Sequence, residues 1–134
     1  MREKQFRGIS EHFGTMEYGS DFKLNNVNVG GGEMEQWAFV NGNKIITKTF
    51  GEFTGISDCN NRKIFEGDII KGGIRLMTII FKQEACQFWL IWQDKDGINR
   101  YEPLTATYGD DTNYFSNDGF EVIGNIHENA DLLN

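Results

Sequence analysis

The sequence predicts a mostly β fold: antiparallel strands, with a partly open small barrel over residues 53–126, peripheral strands before it and a short helical turn after it. Three observations predict this. Aromatic residues make up 13% of the chain and proline occurs once, a composition suited to extended, half-buried strands. Every long periodic segment is strand-like, and no amphipathic repeat runs for the length of an ordinary helix. Asn41-Gly42 between two apolar runs marks a two-residue hairpin, because its backbone twist matches that of paired strands.

The elements follow in chain order. Residues 2–9 form a first, peripheral strand with Phe6 and Ile9 turned inward. Tyr18, Phe22, Leu24, Val27 and Val29 are spaced for one or two strands, and Gly30-Gly31-Gly32 then reads as a flexible break. Trp37 to Val40 and Lys44 to Thr47 are the arms of the Asn41-Gly42 hairpin. Phe53 to Lys71 is the stretch around which the rest is organised. Gly55 and Asp58-Cys59-Asn60-Asn61 supply turn chemistry, since Gly and Asn tolerate positive φ and Asp binds nearby backbone N–H groups. Ile64-Phe65 and Ile69-Ile70 are interrupted by Glu66-Gly67-Asp68, a second tight turn or bulge that kinks a strand into the barrel.

Ile74 to Phe81 and Phe88 to Trp92 are apolar on both faces, as expected of central, covered strands, and are joined by a turn over 82–86. Asp94-Lys95-Asp96-Gly97 ends the second of them. The order of these strands is like the meander of SH3-like barrels. Residues 104–119 are a polar loop carrying Tyr108, Tyr114 and Phe115 beside Asp110 and Asp111, a candidate interaction surface. Residues 120–126 are the closing strand, and a helical turn follows with Asn129 as its N-cap and Asp131 in its first turn.

A chain of 134 residues is one domain by length, divided here into an N-terminal β region (1–52), the barrel-like core (53–126) and a C-terminal turn (127–134). The formal charge of -7 disfavours a nucleic-acid partner, because phosphate contacts need a basic face. Cys59 and Cys86 lack C-x-x-C spacing and read as free thiols of a reducing compartment. The charged opening resembles no leader, and no apolar run approaches the roughly 20 residues of a membrane helix. The expected location is cytoplasmic.

Few residues form a chemical constellation. Asp58-x-Asn60-x-Arg62 starts like a calcium loop but fails at the third ligand, and Asp94-Lys95-Asp96-Gly97 fails likewise. His12, His127, Cys59 and Cys86 have no local zinc spacing. No metal, no cofactor and no catalytic residue is therefore predicted. Glu66 and Asp68 are the most tempting carboxylates for acid–base work, but no third group accompanies them. The competing reading has Asp68 binding N–H groups of its turn and Glu66 facing Arg62 or Lys63. Trp89 and Trp92, three apart, fall on opposite faces of a strand.

The central stretch resembles the YopX family of phage and prophage proteins through Thr54, Gly55, Asp58, Asn60, Ile64, Phe65, Glu66, Gly67, Asp68, Ile69 and Ile70. Asn61 stands where that family has Gly, and Asn is the next-best residue for a left-handed position. The opening Met1 to Arg7 and the closing Glu121-Val122-Ile123-Gly124-Asn125-Ile126-His127-Glu128-Asn129 are similar to the family's two ends. The resemblance implies a phage or prophage protein of a bacterial host. It implies no activity. Two function classes follow: a non-enzymatic module that binds a protein or itself, or a small enzyme or metal-dependent ligand binder using the Glu66/Asp68 region.

Overall fold

Strands dominate the residues that the computed structural model describes, 4–72, 75–104 and 120–133. They fall into two compact units, Met1–Phe53 and Thr54–Asn134.

In the first unit β1 (Phe6–Ile9) pairs antiparallel with β2 (Met16–Gly19). A three-stranded antiparallel sheet contains β3 (Phe22–Gly30), β4 (Glu33–Val40) and β5 (Asn43–Ile45) in that order. β6 (Gly51–Ser57) begins in this unit, where Gly51 and Glu52 pair with Arg7 and Phe6, and ends in the second. The β4–β5 hairpin forms as its turn dictates. Val40 faces Asn43, and Asn41 and Gly42 take φ of 51° and 79°, the left-handed region that Asn and Gly enter most cheaply. Ala38, Val40 and Ile45 are the buried core of the unit, with Phe6, Phe22 and Phe50 against it. The three rings cluster, Phe22 lying 4.3 Å from Phe50 and 5.3 Å from Phe6 between centroids.

Two expectations for this unit change. Phe6 packs on the core as expected and Ile9 is half-buried, but Arg7 retains only 2% of its exposure, and β1 is not peripheral, because it has neighbours on both flanks. The triple glycine, expected as a flexible break, ends β3 and makes the hairpin turn into β4.

The second unit continues with β7 (Lys63–Phe65), β8 (Asp68–Gly72), β9 (Arg75–Lys82), β10 (Gln87–Gln93), β11 (Asn99–Pro103) and β12 (Glu121–Asn125). The last five strands form one antiparallel sheet in the order β11-β10-β9-β8-β12, the half-barrel of the expected class. The expected central pair is there: Leu90 faces Ile79, and both are fully buried. Around them pack Ile64, Ile70, Met77, Phe88 and Val122, so the apolar pairs on either side of the Glu66-Gly67-Asp68 corner feed one core. Cys86 takes φ of 53° after a single 3-10 turn at Gln83–Ala85, which closes the β9–β10 hairpin. β11 is an addition to the sequence reading, which ended the pair at Asp94-Lys95-Asp96-Gly97. After β12 the chain makes a 3-10 turn, Ala130–Leu133. The Asn129 Oδ1 just before it accepts from the Asn125 N–H at 3.1 Å and so ties the end of β12.

Candidate functional site

The residues singled out by the central motif meet in the second unit, at the two corners that bracket β7. Asp58 is buried and serves as a three-way backbone acceptor. Its Oδ1 takes the N–H groups of Asn60 (2.9 Å) and Arg62 (2.8 Å), and its Oδ2 takes that of Val122 (2.8 Å), 64 residues along the chain. Asn61 completes the turn with φ of 62°. One carboxylate thus closes a local loop and fastens β12 to it. Thr54 acts beside it, its hydroxyl donating to the Ile64 carbonyl at 2.8 Å and accepting from the Ile56 N–H at 3.2 Å. Gly55 is exposed at φ of 92°.

The second corner uses Asp68, also buried, whose Oδ2 accepts from the Phe65 N–H at 2.7 Å. Between them Gly67 has φ of 91° and is held on two sides, donating to the Ile79 carbonyl and accepting from the Ile126 N–H. A side chain there would be strained by the backbone alone. Glu66 lies half-buried on the same corner. Asp68→Ala should cost about 1–3 kcal/mol, because it strips a buried N–H of its charged acceptor. Chemical unfolding of the variant checks this, and an unchanged midpoint would argue for a role outside stability.

The loop after β10 repeats the device on the surface. Asp94 Oδ1 accepts from the N–H groups of Asp96 (2.9 Å) and Ile98 (3.0 Å), and Oδ2 pairs with Arg100 at 2.9 Å. The calcium-like spacing at Asp58 and Asp94 is occupied by the protein's own donors. The Ile98 N–H above all holds the Asp94 carboxyl below its ordinary value; desolvation opposes it, and the Arg100 and Asp96 bonds with the Arg100 charge add to the lowering. A lowered folded-state value means a contribution to stability that is complete above the unfolded value and disappears as pH falls through the folded one. Carbon-13 titration of the Asp94 carboxyl should give a midpoint below the ordinary 3.8.

A different kind of site lies on the outer face of the five-stranded sheet. Register places Thr78, Ile91 and Tyr101 in one row across β9, β10 and β11, since Ile91 faces both of the others. They line an open groove of about 610 Å³, with Arg75 and Asp94 among its polar lining and Leu76 and Leu133 among its apolar lining. The adjacent row holds Ile80, Trp89 and Pro103. Lys82 Nζ lies over the rings of Trp89 (4.5 Å) and Tyr101 (5.2 Å), and the Arg75 guanidinium lies 4.6 Å from the Trp92 ring. By register Trp89 and Trp92 stand on opposite faces of β10; Trp92 packs against the core cluster and also lines the groove, whereas Trp89 lies in the adjacent row and is not among the groove's lining residues. Cation–aromatic contacts hold these rings in place while keeping the face polar at its margin.

The remaining candidates are dispersed. His12 is exposed in the first unit, edge-on to Phe13 at 4.6 Å, and His127 is half-buried in the second. Cys59 is a half-buried and Cys86 an exposed free thiol. Among the described residues no three His, Cys, Asp or Glu side chains gather as metal ligands, and no helix is long and apolar enough to cross a membrane. Tyr108, Asp110, Asp111, Tyr114 and Phe115 lie outside the described residues. The groove was not legible from sequence, because its row is assembled from three strands whose register no local motif announces.

No curated protein matches the chain. Among solved structures it is similar to protein EF1440 from Enterococcus faecalis, with 23% identity, full coverage of both chains and a TM-score of 0.48. Residues 5–134 match the family model described as YopX protein, so the motif corners of Asp58 and Asp68 stand within nearly full-length similarity and the chain belongs to the YopX family.

Proposed function

We propose that the protein is a non-enzymatic binding module, made by a phage or prophage and acting on a protein partner in the cytoplasm of the bacterial host. The observation that carries the reading is a division of labour within the second unit. The motif carboxylates Asp58 and Asp68 accept backbone N–H groups, whereas the row Thr78–Ile91–Tyr101 opens on a groove. A partly apolar floor with Arg75 and Asp94 at hand suits an extended protein segment that inserts an apolar side chain and pairs its polar groups at the margin. The net charge of -7 favours partners with a basic surface around that segment.

Tyr101 is exposed and Ile91 half-buried, so Tyr101→Ala and Ile91→Lys change the groove with little expected loss of stability. The test is affinity capture from host lysate with the parent chain and both variants, followed by calorimetric titration of the captured protein after purification. Retention of the partner by the parent and at least tenfold weaker binding by the variants, at unchanged melting temperature, supports the reading. Equal binding by all three overturns the groove as the contact. We propose as a second contact the segment carrying Tyr108, Asp110, Asp111, Tyr114 and Phe115, whose aromatic and acidic side chains suit a basic partner. Tyr108→Ala/Tyr114→Ala in the same titration should lower affinity without lowering stability.

A further inference from the structure

We propose that β3 is the self-association edge of the protein, pairing antiparallel with β3 of a second copy about a two-fold axis at Asn26. The inference concerns the first unit and is independent of the groove. β5 covers β4 only from Val40 to Ala38, so beyond Trp37 the β3–β4 hairpin is a ribbon of two strands. Val29 and Met34 on that ribbon keep 44% and 60% of their exposure, and Leu24, opposite the last β5-covered position of β4, keeps 49%. Two-stranded ribbons exposed on both faces are marginal by themselves, and further strands stabilise them.

The backbone says which groups are available. The Asn41 N–H donates to the Asp21 carbonyl at 2.9 Å, which makes that rung a hydrogen-bonded one. Antiparallel rungs alternate, so Lys23, Asn25 and Val27 direct their backbone groups to β4, while Phe22, Leu24, Asn26 and Asn28 direct theirs to the edge of the sheet, which no strand among the described residues covers. That edge has none of the usual obstacles to pairing along Phe22–Asn28: no proline, no bulge before Asn28, and Lys23 as its single charge.

A second copy fits this edge by its own symmetry. With the axis at Asn26, the midpoint of β3, Asn26 faces itself, Leu24 faces Asn28, and Lys23 faces Val29, so no charge meets its like. Asn26 is cross-strand from Gln36, so the central row becomes four amides, each able to donate and accept. An isologous contact of this kind needs only one self-complementary patch. A foreign strand would have no charge on this edge to select it except Lys23.

The test uses the full chain in three forms. Sedimentation equilibrium of the parent should show a monomer–dimer equilibrium. Asn26→Pro removes an N–H directed outward, not a β3–β4 bond, so it should weaken dimerisation by roughly tenfold or more at unchanged circular dichroism and melting temperature. In a Cys59→Ser/Cys86→Ser background, a short bis-maleimide should link Asn26→Cys into a covalent dimer and leave Leu24→Cys unlinked. A parent that stays monomeric with Asn26→Cys unlinked overturns the proposal. So does a dimer that Asn26→Pro leaves intact.

Discussion

Asp58→Ala should lower stability by about 3–5 kcal/mol, since it removes the charged acceptor of three N–H groups, two in its own loop and one on β12. Hydrogen bonds to a charged acceptor are each worth more than neutral ones, and the side chain is 1% exposed, so water does not readily replace it. Asp58→Asn should fall between the parent and the alanine variant, because one oxygen remains while the other position becomes a donor facing a donor. Urea unfolding followed by tryptophan fluorescence in a Trp37→Phe background reads the second unit, which contains Trp89 and Trp92. Equal midpoints for all three proteins would contradict the structural role of this carboxylate.

Leu90→Ala should cost about 3–5 kcal/mol through lost transfer energy and the cavity left between β9 and β10. Leu90 and its cross-strand neighbour Ile79 both have 0% exposure, and both belong to the core cluster. Ile91→Ala, one residue along and on the half-buried groove side, should cost clearly less. The comparison separates core packing from the strand's β propensity, of which the substitution of β-branched Ile91 loses more than that of Leu90. A loss at Ile91 matching that at Leu90 would mean that the outer face is as tightly packed as the inner one.

What the sequence disclosed is what short-range chemistry determines. Asn41-Gly42 has few conformations open to it other than a hairpin turn, and Ile79 and Leu90 stand in runs too apolar to face water. The bond from Asp68 to Phe65 spans three residues, so it could be anticipated from turn chemistry alone. The bond from Asp58 to Val122 could not, because it depends on where β12 returns. β11 was missed since Asn99-Arg100-Tyr101-Glu102-Pro103 is an exposed edge strand with no apolar alternation, and its proline fits an edge. Gly30-Gly31-Gly32 read as a break because a run of glycines marks a turn and a linker equally well. Arg7 is the instructive exception to polarity as a guide: a charged residue near the start of the chain is 2% exposed.

The claim at the centre of this account is that the family's motif carboxylates brace the fold. Amide hydrogen exchange at Val122 tests it most directly, because that N–H belongs to an edge strand and is bound by Asp58 from 64 residues away. If these carboxylates brace the fold, this amide exchanges as slowly as the amides of β10, through global opening alone, and at least a hundredfold faster in Asp58→Ala. Fast exchange at Val122 in the parent protein, with β9 and β10 still protected, would contradict it.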